Sequence, residues 1–130
     1  MPKFKKVLLV EDDHITILVC KKIIKLTSFA EEVISAENGE QAFIYLESEK
    51  NKTESTLPEI ILLDLNMPVM NGWEFLEYFK TLAASLAPVP AIYILSSSID
   101  PDEKKRALSY PYVKGFISKP LTGENLSGID

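Results

Sequence analysis

The sequence predicts a doubly wound α/β domain: a five-stranded parallel sheet, strand order 2-1-3-4-5, covered by helices. Three observations carry this reading. Five short apolar runs alternate with segments of helical spacing along the 130 residues, the pattern of βα units joined by right-handed crossovers. The runs Val7-Leu8-Leu9-Val10 and Ile60-Ile61-Leu62-Leu63 are apolar at every position, as suits strands buried on both faces. Most runs stop abruptly in polar or charged residues, and open α/β sheets hold ligands outside the carboxyl ends of their strands. Order 2-1-3-4-5 is the common arrangement for this count and sets a switch point between strands 1 and 3.

The first strand, Lys6 to Val10, ends in Glu11-Asp12-Asp13. Ile15, Val19, Ile23 and Leu26 then recur at helical spacing and predict the buried face of helix 1. Glu32 to Ala36 is the second strand. Asn38 caps helix 2, with Gln41 in the capping-box place, and Ala42, Phe43 and Leu46 form its buried face. The polar run from Ser48 to Thr56 predicts a solvated loop. Pro58 precedes the third strand, Ile60 to Leu63, which runs into Asp64. Gly72, Phe75, Leu76, Phe79 and Leu82 mark helix 3, with Trp73 and Tyr78 off its buried line. Ala87-Pro88-Val89-Pro90 ends that helix, because the residue before a proline disfavours helix.

Ala91 to Leu95 is the fourth strand and runs into Ser96-Ser97-Ser98. Asp100-Pro101-Asp102-Glu103 starts helix 4 with a capping Asp, a proline at the first position and acids at the positive end of the dipole. Only Ala107 and Leu108 anchor this helix, so it is expected to be the least firmly held. Val113 to Ser118 is the fifth strand, followed by Lys119-Pro120. Thr122 caps a short fifth helix that Gly123 and Gly128 weaken.

Composition narrows the function. Hydrophobic residues make up 46% and charged residues 25%, which fits a soluble globular domain and not a disordered one. The net charge of -5 argues against direct nucleic-acid binding, which needs a basic patch. Cys20 is the only cysteine, so a reducing compartment is expected and an internal disulfide is not. Val7 to Val10 is too short for a signal-peptide core, and no apolar run reaches the roughly 18 residues of a membrane span. The expectation is one cytoplasmic domain over residues 1–130.

The chemistry lies at the strand ends. Strand 1 delivers Glu11 and Asp12, strand 3 Asp64, strand 4 Ser96 and strand 5 Lys119. Taken singly, each has a plain reading: a helix N-terminal acid cluster, a turn residue, a loop serine, a surface lysine. In a parallel sheet all five meet on one edge. Three carboxylates that close do not all ionise cheaply, and a hard divalent cation with oxygen ligands, such as Mg2+, resolves the conflict. A lysine and a hydroxyl opposite them would hold a phosphoryl group on or near one carboxylate.

In these residues the chain resembles the receiver domain of two-component response regulators. The matching blocks are Val7 to Asp13, Leu63-Asp64-Leu65-Asn66-Met67-Pro68-Val69-Met70-Asn71-Gly72, Leu95-Ser96-Ser97 and Lys119-Pro120. The resemblance implies a flavodoxin-like fold and Asp64 as phospho-acceptor. It implies a Mg2+ site from Glu11, Asp12, Asp64 and the backbone carbonyl of Asn66. Ser96 and Lys119 would bind the phosphoryl group, and Phe116 would turn inward as the switch aromatic. Gly72 matches the family glycine that opens helix 3, and Lys119-Pro120 falls where the family often has a cis bond.

The implied partners are a sensor histidine kinase or a histidine phosphotransfer protein, and an output partner that the sequence does not name. The implied state is a monomer or weak dimer, free-standing or within a larger hybrid or multidomain protein. The implied activity is self-phosphorylation and dephosphorylation only. Two alternatives stand beside it. One is a receiver fold used purely as a binding scaffold. The other is an aspartyl-phosphate phosphohydrolase, for which Asn66 stands where a second acid is wanted.

Overall fold

The computed structural model describes residues 2–50, 52 and 57–129. Its elements are β1 (Phe4–Val10), α1 (His14–Leu26), β2 (Ala30–Ala36), α2 (Gly39–Lys50), β3 (Ile60–Leu63), α3 (Gly72–Ala83), β4 (Ala91–Ser96), α4 (Pro101–Leu108), β5 (Val113–Ser118) and α5 (Gly123–Ser127). The strands form one sheet in the order β2-β1-β3-β4-β5, and every neighbouring pair is parallel. The predicted fold class and strand order are therefore the observed ones.

The sheet separates two apolar layers, as the two-residue period of a strand requires. Leu8, Val10, Ile61 and Leu63 face one layer with Phe75 and Phe79 of α3, Leu46 of α2 and Ala107 of α4. Val7, Leu9, Ile60 and Leu62 face the other, with Cys20 and Ile24 of α1 and Leu126 of α5. Register then fixes the edge where the chemistry lies. Val10 pairs with Leu63, so Glu11 and Asp64 leave the sheet at the same level. Ser96 pairs with Ser118, which brings Lys119 beside the end of β4. Backbone bonds continue past the strands: Asp64 N–H donates to Val10 O at 2.9 Å, and Lys119 N–H donates to Ser96 O at 2.9 Å.

Capping residues behave as their chemistry dictates. Asn38 accepts from Gln41 N–H, while the Gln41 side chain accepts from Glu37 N–H. Asp100 caps α4 with proline at its first position, and Thr122 and Asn125 form a reciprocal capping box on α5. Among the described residues of α4 only Ala107 is buried. The guanidinium of Arg106 stacks 4.0 Å from the Trp73 ring centroid. Nearby, Tyr110, just past α4, donates from its hydroxyl to Glu77 of α3 at 2.6 Å.

Two expectations are corrected. The buried face of α1 is not the line Ile15, Val19, Ile23, Leu26. Ile15 is 72% exposed and Leu26 75% exposed, whereas Cys20 and Ile24 are buried, with Ile17 and Ile23 packed partly behind them. The helix carries two overlapping apolar stripes, and periodicity alone does not choose between them. The polar run from Ser48 is not loop from its start. Ser48 to Lys50 complete the last turn of α2, where Glu49 is buried and pairs with Lys52 at 3.0 Å. Asn51 and residues 53–56 lie outside the described residues.

The corrected face gives a direct check by denaturant unfolding. Ile24→Ala is expected to cost about 2–5 kcal/mol, as truncation in a packed core does. Ile15→Ala is expected to stay within about 0.5 kcal/mol, as surface changes do. The opposite order would restore the Ile15 stripe as the buried one.

Candidate functional site

Glu11, Asp12 and Asp64 converge at the carboxyl edge of the sheet, with one carboxylate oxygen from each within 4.8 Å of the others. Glu11 and Asp64 are buried, and Ser96 beside them is 1% exposed. The acid triplet after β1 divides its labour. Asp13 turns outward and caps α1, accepting from Thr16 N–H at 3.0 Å, while Glu11 and Asp12 turn to the site. Glu11 Oε2 also accepts from the backbone N–H groups of Asp12 and Asp13.

Lys119 is the counter-charge. Its ammonium donates to Glu11 Oε1 at 2.6 Å and lies 3.6 Å from Asp64 Oδ1. Burial pulls the lysine down, but its contacts with Glu11 and Asp64 outweigh that and hold it above its ordinary value. Burial pushes Glu11 up from the usual carboxylate range; Lys119 draws it back in part, and Asp64 adds to the rise. Asp12 is pushed up by burial and then by its neighbour Glu11. Three carboxylates thus share one ammonium, and the cluster holds more negative charge than it comfortably ionises.

The loop after Asp64 is shaped by close approach. A Cβ on Gly72 would lie 2.5 Å from the Asp64 carbonyl oxygen and 2.7 Å from Leu65 Cα, so no side chain fits there. Gly72 N–H donates to Leu65 O at 3.0 Å, folding α3 back against the Asp64 peptide. Gly39 N–H donates to Met70 O at 2.8 Å and ties the loop to the start of α2. Asn66 N–H donates to Asp64 Oδ1 at 3.3 Å, and the Asn66 side chain is exposed. Met70 N–H donates to Pro68 O across Val69, whose φ of 66° is costly for a β-branched residue.

The structure brings Glu11, Asp12, Asp64 and Lys119 together and sets Ser96 at the end of the neighbouring strand. Phe116 stands apart from this group: it is half-buried in β5, paired with Ile94, and packs against the layer of α3 and α4. The Lys119-Pro120 bond is cis. Two features were not read from the sequence. The strain at Val69 had no signal beyond an ordinary apolar letter. In the sequence Glu103 stands only as a helix-dipole acid, yet its carboxylate accepts from the Ser96 hydroxyl at 3.4 Å. Its place seven residues past Ser96, in the first turn of α4, was the available clue.

Beside Lys119, the exposed α1 residues Ile15 and Val19 border a cleft with Pro120 and Leu121. His14 is exposed and 3.9 Å from Glu37. No helix among the described residues is long and apolar enough to cross a membrane.

Comparison with known proteins agrees with this architecture. The response regulator receiver domain family matches residues 7–129. The probable methanogenesis regulatory protein FilR2 of Methanothrix harundinacea is 30% identical over 92% of this chain and 75% of that protein. The two-component response regulator ORR41 of Oryza sativa subsp. japonica is 29% identical over 98% of this chain and 92% of that protein. Among solved structures, a two-component response regulator from Cytophaga hutchinsonii superposes with a TM-score of 0.86 at 33% identity, covering 98% of this chain and 96% of that one. The phosphorylated cyanobacterial phytochrome response regulator RcpA superposes with a TM-score of 0.76 at 29% identity, covering 97% and 88%. With its sheet order, its strand-end acids and nearly all of its length accounted for, the chain belongs to the receiver domains of two-component response regulators.

Proposed function

We propose that this chain is a phospho-accepting receiver domain that takes a phosphoryl group onto Asp64 from a phosphohistidine. The donor is a sensor histidine kinase or a histidine phosphotransfer protein. The observation that carries the reading is the meeting of Glu11, Asp12 and Asp64 within 4.8 Å at one strand edge, opposite the Lys119 ammonium.

The donor set fits Mg2+. All the candidate ligands are hard oxygens, and magnesium is held by one or two carboxylates with waters and phosphate oxygens. Glu11, Asp12 and Asp64 would hold the ion with the Asn66 backbone carbonyl. When bound it supplies positive charge to the carboxylates and the incoming phosphoryl oxygens.

The remaining work falls to the chain's own residues. An Asp64 carboxylate oxygen attacks phosphorus in line; the phosphorus–nitrogen bond breaks, and its electron pair stays on the imidazole nitrogen. The product is an acyl phosphate on Asp64. Backbone bonds on either side of the strand end hold Asp64 in place, so the reaction is largely a matter of positioning. Lys119 has three N–H donors and can hold a phosphoryl oxygen while keeping Glu11. Ser96 donates its hydroxyl proton to another phosphoryl oxygen, and Phe116 follows inward. The shift of population toward this state is set by what those groups gain there. Ile15, Leu18 and Val19, all exposed on α1, give the phosphodonor an apolar footing beside the site. The α4–β5 face presents the outcome to an output partner. This receiver domain acts only on its own phosphorylation state.

Incubation with acetyl phosphate and Mg2+ is expected to add the mass of one phosphoryl group to the wild type and none to Asp64→Asn. A gain that persists in Asp64→Asn overturns the assignment, and sustained turnover of phosphate monoesters would mark a phosphohydrolase instead. The crowded charge gives a second check. Burial, and then Glu11, raise Asp12 from its ordinary value, so its charged form is disfavoured at this edge of the fold. Asp12→Asn is therefore expected to raise the metal-free Tm by a few degrees. Added Mg2+ is expected to raise the wild-type Tm by mass action and to leave Asp12→Asn nearly unmoved; a wild type insensitive to Mg2+ would contradict the metal site.

A further inference from the structure

The Ser96 side chain has a partner that the phosphoryl-acceptor reading does not require. Its oxygen accepts from Ser98 N–H at 3.0 Å, and its hydroxyl donates to Glu103 Oε1 at 3.4 Å. Ser96 is buried at the end of β4, and Glu103 is half-buried in the first turn of α4. A serine hydroxyl has one proton to give. While Glu103 holds that proton, a phosphoryl oxygen on Asp64 cannot.

The competition also engages α4. That helix buries only Ala107 among its described residues, and Arg106, one turn past Glu103, stacks on Trp73 of α3. At its first turn α4 is tied to β4 by the Ser96–Glu103 bond, and at its last turn to α3 by the stacked guanidinium of Arg106. At 3.4 Å the Ser96–Glu103 bond is long for O–H···O geometry, as suits a contact that is surrendered readily.

We propose that Glu103 is a positioning residue: its carboxylate takes the Ser96 hydroxyl proton in the unphosphorylated state, opposes phosphoryl capture and ties the release of Ser96 to helix α4. The inference rests on the receiver reading of Asp64. Phosphorylation then exchanges one acceptor of the same proton for another. Ser96 leaves Glu103 for the phosphoryl oxygen, and α4 loses its hydrogen bond to β4. Glu103 touches no reacting atom; it acts through Ser96.

The test uses beryllofluoride, a phosphoryl mimic, titrated with Mg2+ into the whole chain, with phosphorylation by acetyl phosphate run in parallel. Glu103→Ala is expected to lower the beryllofluoride needed for half-occupancy about threefold to tenfold, the equilibrium weight of one hydrogen bond of ordinary strength, as suits a contact of 3.4 Å. Glu103→Gln, whose neutral amide oxygen is a weaker acceptor, is expected to fall between wild type and alanine. Asp102→Ala removes the same charge from the same turn without a contact to Ser96, and is expected to leave the titration unchanged. In a Ser96→Ala background, Glu103→Ala is expected to have no further effect. The amide resonance of Ser98, which donates to Ser96 Oγ, is expected to move in Glu103→Ala without any phosphodonor and to stay in place in Asp102→Ala.

A Glu103→Ala titration that matches wild type overturns the inference and leaves the receiver reading intact. So does an equal gain in the Ser96→Ala background, or in Asp102→Ala. A wild type that takes up neither beryllofluoride nor a phosphoryl group overturns the receiver reading, and this inference with it.

Discussion

Three carboxylates gathered around one ammonium at the edge of a buried parallel sheet set the terms for the rest of this domain. Glu11, Asp12 and Asp64 come from two neighbouring strands whose register is fixed by the Val10–Leu63 pairing. Lys119 arrives from the far side of the sheet, separated from Glu11 by 108 positions in the chain. Burial raises the proton affinity of Glu11 and Asp12, so their charged forms are disfavoured at this edge of the sheet. The two apolar layers on either side of β1 and β3 are what keep that charge from pushing the strand ends apart. That balance, three carboxylates to one lysine, is what the proposed cation and phosphoryl group would complete.

Rigidity and freedom are distributed around that cluster. The Asp64 side is tied at several points. Gly72 lets α3 lie against the Asp64 peptide, Gly39 ties the following loop to α2, and Val69 accepts a left-handed conformation within it. The α4 side is held more lightly, by a stacked arginine, a tyrosine–glutamate bond and the long bond from Ser96 to Glu103. Regions with few buried apolar contacts open at low cost. The proposed phosphoryl group on Asp64 would therefore lie between a loop tied at several points and a lightly held helix.

Much of this was legible in the sequence, for stated reasons. Ile60 to Leu63 and Val113 to Ser118 emerge with the boundaries read from their apolar runs, because flanking prolines and charged residues leave little slack. Asp100-Pro101 and Thr122 mark helix starts because capping is local chemistry. The meeting of the strand-end residues followed from parallel topology. The face of α1 did not, because both of its stripes are apolar and only packing selects Cys20 and Ile24. The Glu11–Lys119 bond and the Ser96–Glu103 bond were hidden for a related reason. Residue type announces what a side chain can do, whereas its partner is settled by three-dimensional distance. Glu49 shows the same limit, a charged letter in a polar run that ends up buried on α2.

The central claim is that Asp64, and no other acid of the cluster, becomes the acyl phosphate. Borohydride reduces an acyl phosphate to the corresponding alcohol and leaves free carboxylates alone, so it writes the site permanently into the chain. After exposure to acetyl phosphate and Mg2+, reduction and peptide mass mapping should find the Asp64 side chain converted and the peptides bearing Glu11 and Asp12 unchanged. Conversion at Glu11 or Asp12, or no conversion at Asp64 under conditions where the protein gains phosphoryl mass, would contradict the account.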